Sequence, residues 1–164
     1  MTAARPAALA GALLTTVLAG CGVQPTPVID AGVPAGGLTQ GMRLYFASAA
    51  GLRAAPRPDL QITELSQAVS ALQGGPDAAE AAAGMYNTAY LAAYTVTSDQ
   101  GQVTLSLGKP ALEGLAEPAV GQLVCTLARA ESYVNRTRPD EVQVTIVSGR
   151  TSAGPYQCPQ FLPR

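Results

Sequence analysis

Three cysteines carry most of the chemistry this sequence can offer. Cys21 follows Leu18-Ala19-Gly20, a leucine and two small residues ahead of a thiol. That order suits a peptidase with a narrow cleft, cutting just before a cysteine whose thiol has already accepted diacylglycerol. Cys125 and Cys158 lie far downstream, and in an oxidising compartment two such thiols pair by default. There is no histidine, which excludes Ser-His-Asp and Cys-His catalysis and histidine metal sites. Zinc needs four good donors, and two cysteines do not supply them, so neither a metal nor a cofactor is expected. Neither a P-loop nor a G-x-G-x-x-G fingerprint occurs.

An enzyme would be left with paired carboxylates, as in glycoside cleavage. The candidates are Asp59, Glu64, Asp77, Glu80, Asp99, Glu113, Glu117, Glu131, Asp140 and Glu141. Most have structural roles available. Asp77 and Glu80 have the spacing of a capping box, Asp99 suits a hairpin turn, and Glu113 and Glu117 suit a helix N-terminus. No catalytic residue is expected. Tryptophan is absent and aromatic residues are sparse, so no sugar-stacking platform is evident.

The residues before Cys21 set its context. Arg5 precedes an apolar run from Pro6 to Ala19, shorter than the about 20 residues of a membrane-spanning helix but in proportion for a signal peptide. Residues 1–20 are therefore expected to be removed. Two or three acyl chains on Cys21, at about 0.8 kcal/mol per buried CH2, would hold the remainder stably on the extracytoplasmic face of the cell membrane. Residues 21–41, rich in Gly, Pro, Thr and Ala, read as a flexible tether. Pro25, Pro27 and Pro34 keep it from being helical.

Residues 42–164 are expected to fold as one domain. The net charge is −1, with no basic field for nucleic acid. Lys109 is the only lysine. Together with abundant Ala, Gly and Pro, this points to a GC-rich genome such as an actinomycete's.

Met42, Leu44 and Phe46 alternate with Arg43, Tyr45 and Ala47, the period of a half-buried strand. A second short extended piece runs from Leu52 to Arg57. Ile62, Leu65, Val69 and Leu72 fall at helical spacing, with Thr63 as N-cap and Gly74-Gly75-Pro76 as the stop. A short helix starts at Asp77 and ends near Gly84. A hairpin follows from Tyr94 to Leu107, turning at Asp99-Gln100-Gly101. A third helix runs from about Glu117 to Ala130, with Pro118 in its first turn and a stripe of Val120, Leu123, Val124 and Leu127. Val142, Val144 and Ile146 mark the last clear strand. The order β, α, α, β, β, α, β implies an α+β fold, a mixed sheet with two to three helices packed on one face.

At 100° per residue, Cys125 points roughly 150° from the third helix's stripe. A bridge from this outer flank to Cys158 would pin the proline-rich segment Gly154–Arg164, otherwise loose. Two clusters could contact a partner: Tyr86, Asn87, Thr88 and Tyr90, and Arg129, Glu131, Tyr133, Arg136 and Arg138. Tyrosine and arginine favour interaction hot spots, which singles out Tyr86, Tyr90, Arg129, Tyr133, Arg136 and Arg138. Asn135-Arg136-Thr137 matches a glycosylation triplet, read as coincidence.

Several stretches resemble the GerMN domain of bacterial sporulation, germination and lipoprotein families. They are Met42-Arg43-Leu44-Tyr45-Phe46, Ala71-Leu72-Gln73-Gly74-Gly75-Pro76, Val103-Thr104-Leu105-Ser106-Leu107 and Gly121-Gln122-Leu123-Val124-Cys125-Thr126-Leu127. The resemblance covers Met42 to about Gly149. It implies an α+β domain without catalytic residues that serves protein assembly at the cell envelope. Members linked to sensor kinases carry further domains after it, and this chain stops soon afterwards, so a two-domain regulatory role is not expected. The reading is a lipid-anchored, non-catalytic interaction module whose partner is an envelope protein or peptidoglycan. The alternatives are a carboxylate-dependent peptidoglycan hydrolase and a small-ligand-binding lipoprotein.

Overall fold

The computed structural model describes residues 41–108 and 114–163. All belong to one compact unit, Ala35–Arg164. Cys21, the rest of the tether up to residue 40, and Glu113 lie outside the described residues. The elements are β1 (Met42–Ser48), β2 (Gly51–Arg57), α1 (Leu65–Gln73), α2 (Ala78–Ala82), β3 (Tyr94–Asp99), β4 (Gln102–Leu107), α3 (Glu117–Asn135), β5 (Gln143–Ser148) and β6 (Thr151–Tyr156), then a 3-10 turn at Cys158–Gln160.

The fold is α+β, as expected, but its strands divide between two sheets. β1 and β2 form an antiparallel ribbon, and β3-β4-β5-β6 form a mixed sheet whose β4 and β5 are parallel. Parallel neighbours need a long crossover, and α3 lies in it. β6 is a strand that periodicity missed. Thr151-Ser152-Ala153-Gly154-Pro155-Tyr156 has little β-propensity, and its pairing with β5 shifts register between Val144 and Ile146. Proline is tolerated there because β6 is an edge.

One hydrophobic core joins both sheets, α1 and α3. Met42, Leu44 and Phe46 on β1, Leu72 on α1, Leu105 on β4 and Ile146 on β5 are almost wholly buried. α1 buries Leu65, Ala68, Val69 and Leu72. Its N-cap is Glu64 rather than Thr63. The Gln67 carboxamide oxygen accepts from the backbone N–H groups of Thr63 (2.7 Å) and Glu64 (3.2 Å), which turns the chain one residue later. The box before α2 forms as the spacing predicts: Glu80 N–H donates to Asp77 Oδ1 (2.8 Å) and Asp77 N–H to Glu80 Oε2 (2.9 Å). Glu80 also binds the Arg57 guanidinium, whose Nη2 donates to Oε2 at 2.7 Å, and Arg57 lies over the Phe46 ring. This pair ties α2 to β2.

α3 departs most from expectation. Instead of one apolar stripe it is buried on nearly every side from Ala119 to Glu131, touching both sheets, α1 and the C-terminal turn. It also continues to Asn135 rather than stopping near Ala130. Glu131, 1% exposed, accepts from Asn135 Nδ2 (2.8 Å) and Thr137 Oγ1 (3.4 Å), holding an extra turn. The cap is Arg136 in the left-handed region, φ 62°.

Its polar residues explain why β1 can be where it is. A two-stranded ribbon is marginal alone, and β1 has an unpaired edge. Along that edge Tyr45 N–H donates to Thr126 Oγ1 (3.1 Å) and Gln122 Nε2 donates to Tyr45 O (3.3 Å). Arg129 Nε donates to Gly41 O at 2.9 Å. Gln122, Thr126 and Arg129 are spaced to share one face of a helix, so α3 takes the place of the missing strand. Gln122 reaches further, accepting from Thr88 N–H (2.9 Å) and Oγ1 (2.6 Å) and donating to Tyr86 O (3.3 Å).

Gln122→Ala should strand the Tyr45 carbonyl and the Thr88 amide in a buried place. We expect chemical denaturation to show a loss of about 2–4 kcal/mol, larger than for Thr126→Val at about 1–3 kcal/mol. Acid behaviour tests the Arg57–Glu80 pair. Hydrogen bonding from Arg57 lowers the Glu80 pKa from its ordinary 4.5, so its stabilisation is complete above 4.5 and is lost as pH falls through the lower folded value. The stability gap between the native chain and Glu80→Gln should therefore be constant near neutrality and shrink below about pH 4.5.

Candidate functional site

At the N-terminal end of α3 three segments leave a cleft of about 330 Å3 between them. The β1–β2 turn forms one wall. Ser48 Oγ donates to Gly51 O (2.8 Å) and accepts from Ala50 N–H (3.2 Å), closing a two-residue loop, and Gly51 supplies the positive φ of 100°. The floor is the first turn and a half of α3, with Glu117, Pro118 and Gly121. The opposite wall is the C-terminal segment Gln160–Pro163. Tyr86 stands at the mouth, 47% exposed, its backbone bridged to Ala47 in both directions, at 2.8 and 3.0 Å.

Gly121 lets the C-terminal wall close. A Cβ there would lie 3.0 Å from Leu52 Cδ1 and from Phe161 Cδ1. Phe161 in turn meets Tyr156 edge to face, centroids 5.6 Å apart. Just before this wall comes Cys158, bonded to Cys125 as expected, with the Cα atoms 4.6 Å apart. The flank of α3 that carries Cys125 is not an outer one. Cys125 is 1% exposed, because the C-terminal segment covers it. Nor does that segment start loose, since its first three residues, Gly154–Tyr156, are the end of β6.

The cleft is mostly apolar, with Ser48, Tyr86, Gln160 and Glu117 as the lining residues that carry polar side-chain groups. Glu117 is the one carboxylate among the described lining residues, in the first turn of α3, where the helix dipole favours negative charge. The other carboxylates are placed elsewhere. Asp77 and Glu80 cap α2, Glu64 caps α1, and Glu131 is sealed under Asn135. Asp140 and Glu141 pair with Arg138 at 2.7 and 3.3 Å. Asp99 ends β3 at its turn, and Asp59 is exposed beyond β2. Among the described residues no three potential metal ligands gather, and no helix is long and apolar enough to cross a membrane.

The residues singled out as interaction hot spots do not form one surface. Tyr86 lies beside Gln122, and Arg136 caps the far end of the helix, about 21 Å along its axis. Tyr90 is 68% exposed. Its neighbours Asn87 and Thr88 are staples: Asn87 Nδ2 donates to Leu72 O (3.1 Å), and Thr88 binds Gln122. Arg129 reaches Gly41, and burial lowers its pKa, with the like charge of Arg43 adding to the effect. Tyr133 packs against the core. Arg138 is engaged by its two acidic neighbours, and Arg136 is exposed. Sequence reasoning missed Glu117, Gly121 and Phe161 as a group. Their only sequence signal was a glycine inside a helical pattern.

No family model matches the chain, and no curated protein matches it. Among solved structures it is similar to the tandem GerMN domains of the sporulation protein GerM from Bacillus subtilis. The identity is 16% and the TM-score 0.44, over 74% of this chain and 43% of that one. The chain thus spans under half the length of the protein it matches.

Since Cys158 anchors the cleft's C-terminal wall, Cys158→Ser should free it. Hydrogen exchange at Gln160–Leu162 is expected to rise. Stability should fall by roughly 3–4 kcal/mol, the chain-entropy value for a loop of this length.

Proposed function

We propose that this chain is an exported lipoprotein, held by diacylglyceryl on Cys21 at the extracytoplasmic face of the cell membrane, and that its domain is a GerMN-type binding module of the cell envelope. The observation that carries the reading is the bridge between Cys125 and Cys158 in a chain whose third cysteine follows Leu18-Ala19-Gly20. A disulfide of this kind belongs to an oxidising compartment, and the residues before Cys21 supply the route there.

Within the module, the cleft at the α3 N-terminus is the surface we assign to binding. Its walls are mostly apolar, its mouth carries an exposed tyrosine, and both features suit a partner's anchoring side chain. Gly41, the first described residue, lies at the other end of β1, about 23 Å away. An anchor acting through Gly41 would attach at the end of β1 remote from the cleft. The partner would be an envelope protein or peptidoglycan. The cleft's volume also favours a second reading, a small-ligand carrier, since about 300 Å3 is the lower bound for such sites.

Growth with a labelled fatty acid should mark the native chain and leave Cys21→Ala unlabelled and released from membranes; a variant that stays labelled and bound would refute the anchor. A photoreactive amino acid in place of Tyr86 should capture one defined envelope component in intact cells. A small molecule co-purifying with the native chain would favour the carrier instead, and cell-wall clearing abolished by Glu117→Gln would replace both readings with a hydrolase.

A further inference from the structure

Among the described residues the two sheets have four edges, and three are blocked. The β1 edge is occupied by α3 side chains and by Tyr86, whose backbone bonds to Ala47. On β2, Pro56 stands at an outward-facing position: Tyr45 and Ala47 use their backbone groups on the open side of β1, and the register pairs Arg43 with Pro56. Pro56 therefore offers no outward donor. β6 is broken by a register shift and carries Gly154-Pro155.

β3 has none of these devices. Tyr94-Thr95-Val96-Thr97-Ser98-Asp99 contains no proline, lysine or arginine and pairs with β4 without a shift. Gly108 N–H donates to Ala93 O at 2.9 Å. By strand alternation, Thr95, Thr97 and Asp99 then bond to β4, while the backbone groups of Tyr94, Val96 and Ser98 face outward. No described residue pairs with them. An open, regular, β-branched edge of this kind is a template for another strand.

We propose that this edge pairs antiparallel with β3 of a second copy of the chain, about a two-fold axis through Val96. The outward positions are symmetric about that residue, so about six backbone hydrogen bonds form. Val96 meets its own counterpart, and Tyr94 meets Ser98 of the second copy. On the solvent face, Thr95 lies opposite Thr97 of the second copy, a favourable cross-strand pair. Asp99 falls opposite Ala93, so no like charges meet. Next to the axis that face is neutral, since Thr97, Thr104 and Thr145 stand in one row across the sheet, with Asp99 at the end of β3. The contact is isologous and closes on itself. Its small area gives a weak, concentration-dependent dimer.

The test is sedimentation velocity of the full chain in detergent, over about 1–200 µM, spanning the range of a small interface. The native chain should pass from monomer to dimer. Ser98→Pro removes an outward N–H that no described residue uses, and Thr95→Lys with Thr97→Lys sets cations opposite each other at exposed positions. Each should weaken dimerisation at least about tenfold. If the proline variant misfolds by circular dichroism, the double lysine variant decides. The amides of Val96 and Ser98 should gain hydrogen-exchange protection only as dimer forms. A native chain that stays monomeric, a dimer indifferent to both variants, or amides protected in the monomer would each overturn the proposal.

Discussion

The contact on which this domain rests is the edge of β1 against the polar face of α3. A two-stranded ribbon cannot supply its own outer partner, and the backbone groups of Gly41, Tyr45 and Ala47 would otherwise be stranded beside a core. Gln122, Thr126 and Arg129 meet Gly41 and Tyr45 from a helix, and Tyr86 meets Ala47 from a loop. Because Gln122 binds Tyr45, Tyr86 and Thr88 at once, the same side chain fixes the loop that crosses from α2 to β3. The buried polar face of α3 is thus a joint between three parts of the chain.

The cleft follows from that joint. With β1 held along α3, the β1–β2 turn projects past the helix N-terminus, and Tyr86 is carried to the same end. Gly121 then allows Leu52 and Phe161 to close over the helix, and the Cys125–Cys158 bond brings the C-terminal segment across the flank. The concavity is what remains where the three meet. A side chain at position 121 would meet both Leu52 and Phe161, which is why a residue costly in a helix stands there.

Much of the architecture was legible in local patterns. Alternation marked β1 and β4, 3.6-residue spacing marked α1, and the Asp77–Glu80 spacing announced its cap. The misses share a cause. β6 has neither alternation nor propensity and exists because β5 offers an edge. The length of α3 depends on a buried Glu131 that only the surrounding elements make buried. Thr63 gave way to Glu64 as a cap because Gln67 bonds to both backbone amides. For the candidate site, the cysteine pair was legible from compartment logic. The cleft was not, since Glu117, Gly121 and Phe161 share no spacing that local geometry can read.

Returning to the cysteines, the sequence by itself led to the expectation that Cys125 and Cys158 pair, because only two thiols lie in the folded part of the chain. It also determined the class of the fold, since hydrophobic periods are local. Only the tertiary structure decided that α3 is surrounded rather than one-sided, that Asn87, Thr88 and Arg129 hold neighbouring segments in place, and that, among the described residues, β3 alone keeps an open edge. Each depends on what lies across the core, and satisfaction of a buried polar group is a property of its neighbours in space.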